Sequence, residues 1–154
     1  KISNKAEYAC RTMVELAARF REMAPTRIKT IADTHGIPLR FLVQILLQLK
    51  NAGLVLSVRG KSGGYHLARD PENISLAEVL RSVVDLDAKP SLPRKQKGNQ
   101  PAPSPVPADS SPVALALAGV WREMEAEEQR FLQRISLADL VRRTAEAETL
   151  SYQI

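Results

Sequence analysis

The stretch from Ile28 to Leu67, IKTIADTHGIPLRFLVQILLQLKNAGLVLSVRGKSGGYHL, restricts the fold more than any other part of the chain. Ile28, Ile31 and Ala32 share one helical face, which predicts a short helix over 28–35. Gly36 stops it, because glycine takes the left-handed C-terminal position without a Cβ penalty. Pro38 suits the first turn of a following helix, where an N–H would have no partner. In that helix Leu42, Ile45, Leu46 and Leu49 recur at i, i+3, i+4 and i+7 and form the core side. Arg40, Gln44, Gln48 and Lys50 fall mainly on other faces, and Asn51-Ala52-Gly53 ends the helix. Leu54 to Val58 then reads as a strand and Tyr65 to Leu67 as its partner. The turn between them, Arg59-Gly60-Lys61-Ser62-Gly63-Gly64, is basic and rich in glycine, which permits a tight turn and close backbone approach. The expected fold class is mainly α with a small β-wing: a winged helix-turn-helix followed by a long C-terminal helix.

The flanks fit that plan. Ala9, Met13, Leu16, Ala17 and Phe20 make one apolar face of a first helix over 4–20, with Cys10 beside it, and Met23-Ala24-Pro25 breaks it. Ser75-Leu76-Ala77-Glu78 is a capping box that opens a helix at about 75–84. Ser136-Leu137-Ala138-Asp139 opens another in the same way, and the likeness is read as shared capping chemistry rather than a repeated domain. Residues 88–111 hold six of the ten prolines and almost no large apolar side chain, which predicts a mobile, partly polyproline loop. A long helix over 113–135 follows. Its Leu117, Trp121, Met124, Phe131 and Ile135 form a stripe that needs cover, either from the first helix of the same chain or from the same helix of a second subunit. The expected division is a DNA-binding unit over 1–84, a Pro-rich loop over 85–112, and a dimerisation helix with a C-terminal helix over 113–154.

Charge is placed unevenly. Residues 1–70 carry 12 Lys and Arg against 5 Asp and Glu, a surplus of +7 within a chain total of +5. Residues 71–111 are neutral and residues 112–154 carry −2. The positive part is the part with the helix-turn-helix, as expected of a surface that displaces counterions from phosphates. Aromatic residues are only 5%, which disfavours a stacking platform for single strands. No apolar run approaches the roughly 20 residues of a membrane span. The first residues are charged and lack a signal-type apolar segment, so a cytoplasmic location is expected. One cysteine and two histidines, without ligand spacing, make a poor zinc site. No nucleophile, base and cleft come together, so an enzyme is not expected.

Base reading is expected from the N-terminal half of the third helix. Arg40 suits a guanine edge and Gln44 an adenine edge, while Leu39 or Phe41 can meet a thymine methyl. Arg59 suits a narrow minor groove. Lys61, Ser62, the Gly63 and Gly64 amides, and Lys5 at the start of the first helix suit phosphates. Leu117, Trp121, Met124 and Phe131 are the candidate dimer interface. Cys10 has two readings: an apolar packing residue, or a redox switch, which would need exposure and a lowered pKa.

SNKAEYA at 3–9, IADTHGIPLRFLVQIL, LKNAGLV, SVRGKSGGYHLAR and ISLAEVLR together resemble the BadM/Rrf-type bacterial transcription regulators, the IscR-, NsrR- and CymR-like group. The resemblance covers about residues 2–84 closely, and SVRG followed by GGY after a helix-turn-helix is its most specific part. It implies a homodimer with crossing C-terminal helices that binds palindromic double-stranded DNA, with base reading near Arg40 and Gln44 and minor-groove contact at Arg59. Some members carry Glu where this chain has Val43, so their choice between DNA sites does not carry over. Many members also hold an iron–sulfur cluster through three loop cysteines. Residues 85–112 contain neither Cys nor His, so no cluster or other cofactor is expected. The expected function is a sequence-specific transcription regulator acting as a repressor. Control by a protein partner or small effector at the loop and dimer helix, or by redox chemistry at Cys10, is the alternative.

Overall fold

A computed structural model describes residues 2–84 and 111–152. The first helix, α1 (Asn4–Ala18), is capped by Ser3, whose Oγ accepts from the Ala6 N–H at 3.2 Å. It is followed by α2 (Ile28–His35), α3 (Leu39–Asn51), strands β1 (Val55–Val58) and β2 (Gly64–Leu67), and α4 (Leu76–Val84). After the undescribed segment come α5 (Pro112–Arg134) and α6 (Leu137–Tyr152). The described residues are mainly helical, with one two-stranded antiparallel sheet among them forming the wing.

The core is built where the periodicity placed it. Leu42, Ile45, Leu46 and Leu49 of α3 pack with Met13 and Leu16 of α1, Ile31 of α2, and Val79 and Val83 of α4. Each fully buried aliphatic side chain there contributes about 1.5–3 kcal/mol through water exclusion. In the helix-turn-helix and the helix before it, α1 and α3 differ from expectation at one boundary each. The first helix ends at Ala18 instead of continuing to residue 20, and Phe20 is 38% exposed. The Arg19 N–H bonds back to Glu15 and Ala17 and Phe20 to Ala17, so the chain tightens into turns well ahead of Pro25. Pro38 stands as the N-cap of α3 and not within its first turn.

The long helix α5 packs against α4, while α6 lies along α1. The side of α1 that could have covered the α5 stripe is therefore occupied by α6. No α5 residue is buried, and Leu117, Trp121, Met124 and Phe131 are each about half exposed. Ile135, expected in that stripe, is only 7% exposed and belongs to the core instead, because α5 ends one residue earlier. All but the last two residues of the Pro-rich stretch expected over 85–112 lie outside the described residues.

The two Ser-Leu-Ala boxes meet in space. Ser75 N donates to Glu78 Oε2 and Glu78 N to Ser75 Oγ, both at 3.2 Å. Ser136 N donates to Asp139 Oδ2 at 3.0 Å and Asp139 N to Ser136 Oγ at 3.1 Å. Between them, Leu76 N donates to Ile135 O at 2.8 Å and Leu137 N to Ile74 O at 2.9 Å. The starts of α4 and α6 thus form a two-residue antiparallel bridge with each helix capped by its own carboxylate.

Both carboxyls sit below their ordinary range. Burial alone would raise Glu78, but the hydrogen bonds from Arg69 and from the Ser75 N–H, with the charges of Arg69 and Arg81, outweigh it. Asp139 is lowered first by the Ser136 N–H, then by the Ser136 hydroxyl and Arg142. A depressed folded pKa stabilises above the unfolded value, near 4, and that contribution is lost as pH falls through the folded value. An amide keeps the capping acceptor and removes the titration. The Glu78→Gln/Asp139→Asn double variant should therefore lose less stability than the parent on acidification from about pH 5 to 3. Urea unfolding at each pH checks this, and parallel pH profiles would count against it.

Candidate nucleic-acid interface

The turn between α2 and α3 is set by Gly36, whose φ of 62° is the left-handed cap, and by the Ile37 N–H bonding to Ala32 O at 3.0 Å. This directs α3 so that its core face meets α1. At about 100° per residue, Arg40, Gln44 and Leu47 lie opposite the Leu42, Ile45, Leu46 and Leu49 stripe, with Val43 beside them. All four are exposed. Leu39 and Phe41 flank that face and are 52% and 47% exposed. The Arg40 guanidinium lies 5.7 Å from the Phe41 ring centroid, within cation–π range, which narrows its rotamer choice. Lys5 is brought to the same neighbourhood: with Asn4, Tyr8, Phe41 and Gln44 it lines a hollow of about 410 Å³ where α1 meets α3.

The wing register pairs Val55 with Leu67, Leu56 with His66, Ser57 with Tyr65 and Val58 with Gly64. Arg59, Lys61 and Ser62 stand exposed at its tip. The Gly63 N–H bonds to Gly60 O at 2.9 Å, so the amide expected to face phosphate is already engaged inside the turn. What the structure requires of both glycines is the lack of a Cβ: one on Gly63 would lie 2.3 Å from Val58 O, and one on Gly64 2.3 Å from Thr26 O.

Sequence reasoning missed the residues that join wing and helix-turn-helix. Thr26 N donates to Tyr65 O at 3.0 Å and Tyr65 N to Thr26 O at 2.8 Å. Arg27 donates from its guanidinium to Lys61 O at 2.8 Å. Arg27, Lys29, Arg59 and Lys61 all line a hollow of about 490 Å³ between the start of α2 and the wing. The signal available beforehand was only that two cations open α2, and nothing in the sequence pairs them with the wing.

Cys10 lies partly buried on α1, at the wall of a hollow of about 730 Å³ shared with Val14, Leu80, Leu140 and Val141. Burial first, and then the charge of Glu7, pushes its thiol up to about 11. That is the environment of a packing residue and opposes the lowered pKa of a redox switch. His35 ends α2 with Nε2 3.0 Å from Glu15 Oε2, and Glu15 also holds Arg19 at 2.8 Å, so this histidine ties α2 to α1.

An exposed helix face beside a basic wing, on a helical scaffold, is the architecture of a winged helix-turn-helix protein. The chain belongs to the Rrf2 family, described as iron-dependent transcriptional regulators, which it matches over residues 2–143. It is 39% identical over 142 residues to Rv1287 of Mycobacterium tuberculosis, which is named as an HTH-type transcriptional regulator; the match spans 91% of this chain and 80% of that one. It is 42% identical over 81 residues to CymR of Bacillus subtilis, covering 53% of this chain and 58% of that one. Among solved structures, the IscR of T. potens superposes with a TM-score of 0.72 at 31% identity, covering 96% of this chain and 90% of that one. CymR of B. subtilis gives 0.70 at 31%, covering 93% and 97%.

The donor set does not fit a cysteine-held iron centre. The chain has a single cysteine, and its thiol is held protonated as described above. Among the described residues no three His, Cys, Asp or Glu side chains group as metal ligands. No helix among the described residues is long and apolar enough to cross a membrane.

The raised Cys10 pKa predicts slow alkylation. Against a thiol at the ordinary 9.0, a value near 11 lowers the thiolate population at neutral pH by roughly a hundredfold. The iodoacetamide rate should keep climbing toward pH 11. A rate that levels off near pH 7 would show an activated thiol and restore the redox reading.

Proposed function

We propose that this chain is a sequence-specific repressor that binds palindromic DNA as a cytoplasmic homodimer, without an iron–sulfur cluster. The observation that carries the reading is the outward face of α3: Arg40 and Gln44 stand exposed opposite the core stripe, beside a wing whose tip presents Arg59 and Lys61. Arg and Gln can each make paired hydrogen bonds to a purine edge in the major groove, and a planar Arg suits the minor groove alongside. Residues 1–84 do the reading, residues 113–154 the assembly, and residues 85–112 connect them. The homodimer reading is supported by the uncovered stripe of α5, where Leu117, Trp121, Met124 and Phe131 recur at helical spacing. A twofold dimer presents two recognition helices, which matches a palindrome. The cluster-free reading is supported by the single protonated thiol.

The DNA reading is checked on a duplex that the protein itself selects from a random-sequence pool. Arg59→Ala should weaken binding more than Arg143→Ala on α6 and reduce the salt slope by about one. Gln44→Ala should relax preference by about 1–3 kcal/mol at one base pair per half-site. Equal, negligible effects of Arg59→Ala and Arg143→Ala would remove the groove-binding model. For assembly, the chain should sediment as a dimer at micromolar concentration, and Trp121→Glu/Phe131→Glu as a folded monomer with weakened binding to the palindrome. A parent chain that sediments as a monomer would end the homodimer reading.

A further inference from the structure

Residue 27 breaks two local rules. It is the N-cap of α2, with φ −70° and ψ 142°, yet it is an arginine and makes no side-chain cap hydrogen bond. An N-cap side chain is useful as an acceptor for orphan N–H groups, and a guanidinium has only donors. A cation at the positive end of a helix is also electrostatically unfavourable. Local preference would place Ser, Thr, Asp or Asn here. A residue that costs stability locally points to a contribution elsewhere.

That contribution lies across the cleft. The Arg27 guanidinium reaches 34 residues along the chain to Lys61 O, at 2.8 Å. The wing needs such a hold, because a hairpin with four-residue strands is marginal by itself. Its far end is held by the buried Val55 and Leu67, and the two Thr26–Tyr65 backbone bonds fasten it again one residue short of the turn. Beyond them the turn has the internal Gly63–Gly60 bond, which shapes the tip without tying it to the rest of the molecule. The Arg27 bond does tie it. The acceptor is the Lys61 carbonyl, so the bond does not engage the Lys61 ammonium.

We propose that Arg27 is a wing-positioning residue: it fixes the Arg59–Gly64 turn relative to α2, so that wing and recognition helix approach one duplex as a preset pair. The inference rests on the DNA-reading function proposed above. A preset wing binds without the entropic cost of ordering it at the moment of contact. The competing role for an exposed arginine in a basic cleft is a direct phosphate contact, and the two differ in what they couple to. A positioning residue acts through Arg59, whereas a phosphate contact acts alone and releases its own counterion.

The test is a double-mutant cycle on the full chain, using the duplex selected by the protein from a random pool. Arg27→Ala should weaken binding by about two- to tenfold, the range of one intramolecular hydrogen bond. Arg27→Ala/Arg59→Ala should bind little worse than Arg59→Ala alone, because the wing contact is already lost. The salt slope should stay within a fraction of a unit of the parent. Without DNA, amide hydrogen exchange at residues 60–64 should speed up in Arg27→Ala while the α3 amides and the melting temperature hold. Additive effects with a slope lower by about one would make Arg27 a phosphate contact and overturn the proposal. So would unchanged wing exchange, or an Arg27→Ala chain that binds like the parent while Arg59→Ala is impaired. A melting temperature that falls steeply, with faster exchange throughout, would also overturn it by showing a general stabilising role. Failure to select any duplex at all would fall on the DNA reading instead.

Discussion

Two backbone hydrogen bonds, Leu76 N to Ile135 O and Leu137 N to Ile74 O, set how the two ends of the chain sit together. Ile74 and Leu137 are fully buried and Ile135 nearly so, and a buried N–H or carbonyl without a partner costs about as much as a lost hydrogen bond. Each segment supplies what the other lacks, at the point where a helix is about to begin and its first N–H groups have no helical partner. The capping carboxylates of Glu78 and Asp139 then fix where α4 and α6 start. From that junction α6 runs along α1 and closes one side of the core, while α5 arrives with its apolar stripe left facing outward. The position of the long helix is therefore set at its own C-terminal end, where Ile135 meets Leu76 at the start of α4.

The fold was largely legible because its core is helical and periodic. The Leu42, Ile45, Leu46 and Leu49 stripe and the Gly36 stop depend on local geometry, and all appear where the pattern put them. What was not legible depends on contacts distant in sequence. Phe20 continues the α1 stripe on paper, but the chain had already turned before it could be buried. Ile135 looked like one more member of the α5 stripe, because periodicity cannot show that the helix stops at Arg134. The two capping boxes were recognised separately, since nothing local says that they will face each other. In the candidate site, the exposed face of α3 follows from the helix period. The engaged Gly63 amide and the Arg27 bond to Lys61 do not, because each belongs to a turn geometry that sequence alone leaves open.

The reading face combines two kinds of chemistry. The outward side of α3 is more apolar than a solvated helix face usually is, with Leu39, Phe41, Val43 and Leu47 all about half exposed. Such side chains add little affinity for phosphates, but they suit thymine methyls and exclude water from neighbouring polar contacts. The wing supplies the opposite balance, with cations at an exposed tip. On the proposed reading, affinity would come mainly from the edges and discrimination from the centre, the division that separates phosphate contacts from base contacts.

Charge placement carries the same logic to longer range. Residues 1–70, which include α3 and the wing, carry +7, while residues 112–154 carry −2, with Glu123, Glu125, Glu127 and Glu128 on exposed positions of α5. A polyanion attracts the first region and repels the second, so an approaching molecule is turned before contact is made. The Debye length near physiological salt is about 8 Å, so this torque acts only over the last approach and weakens as salt rises. α5 carries four glutamates against three arginines, so it offers no basic surface beside its apolar stripe. A stripe of exposed leucine, tryptophan, methionine and phenylalanine that cannot gain from DNA remains available to an apolar surface of its own kind, and the acidic residues beside it limit indiscriminate association. On the proposed reading, the basic surface would meet nucleic acid and the apolar one a second copy of the chain.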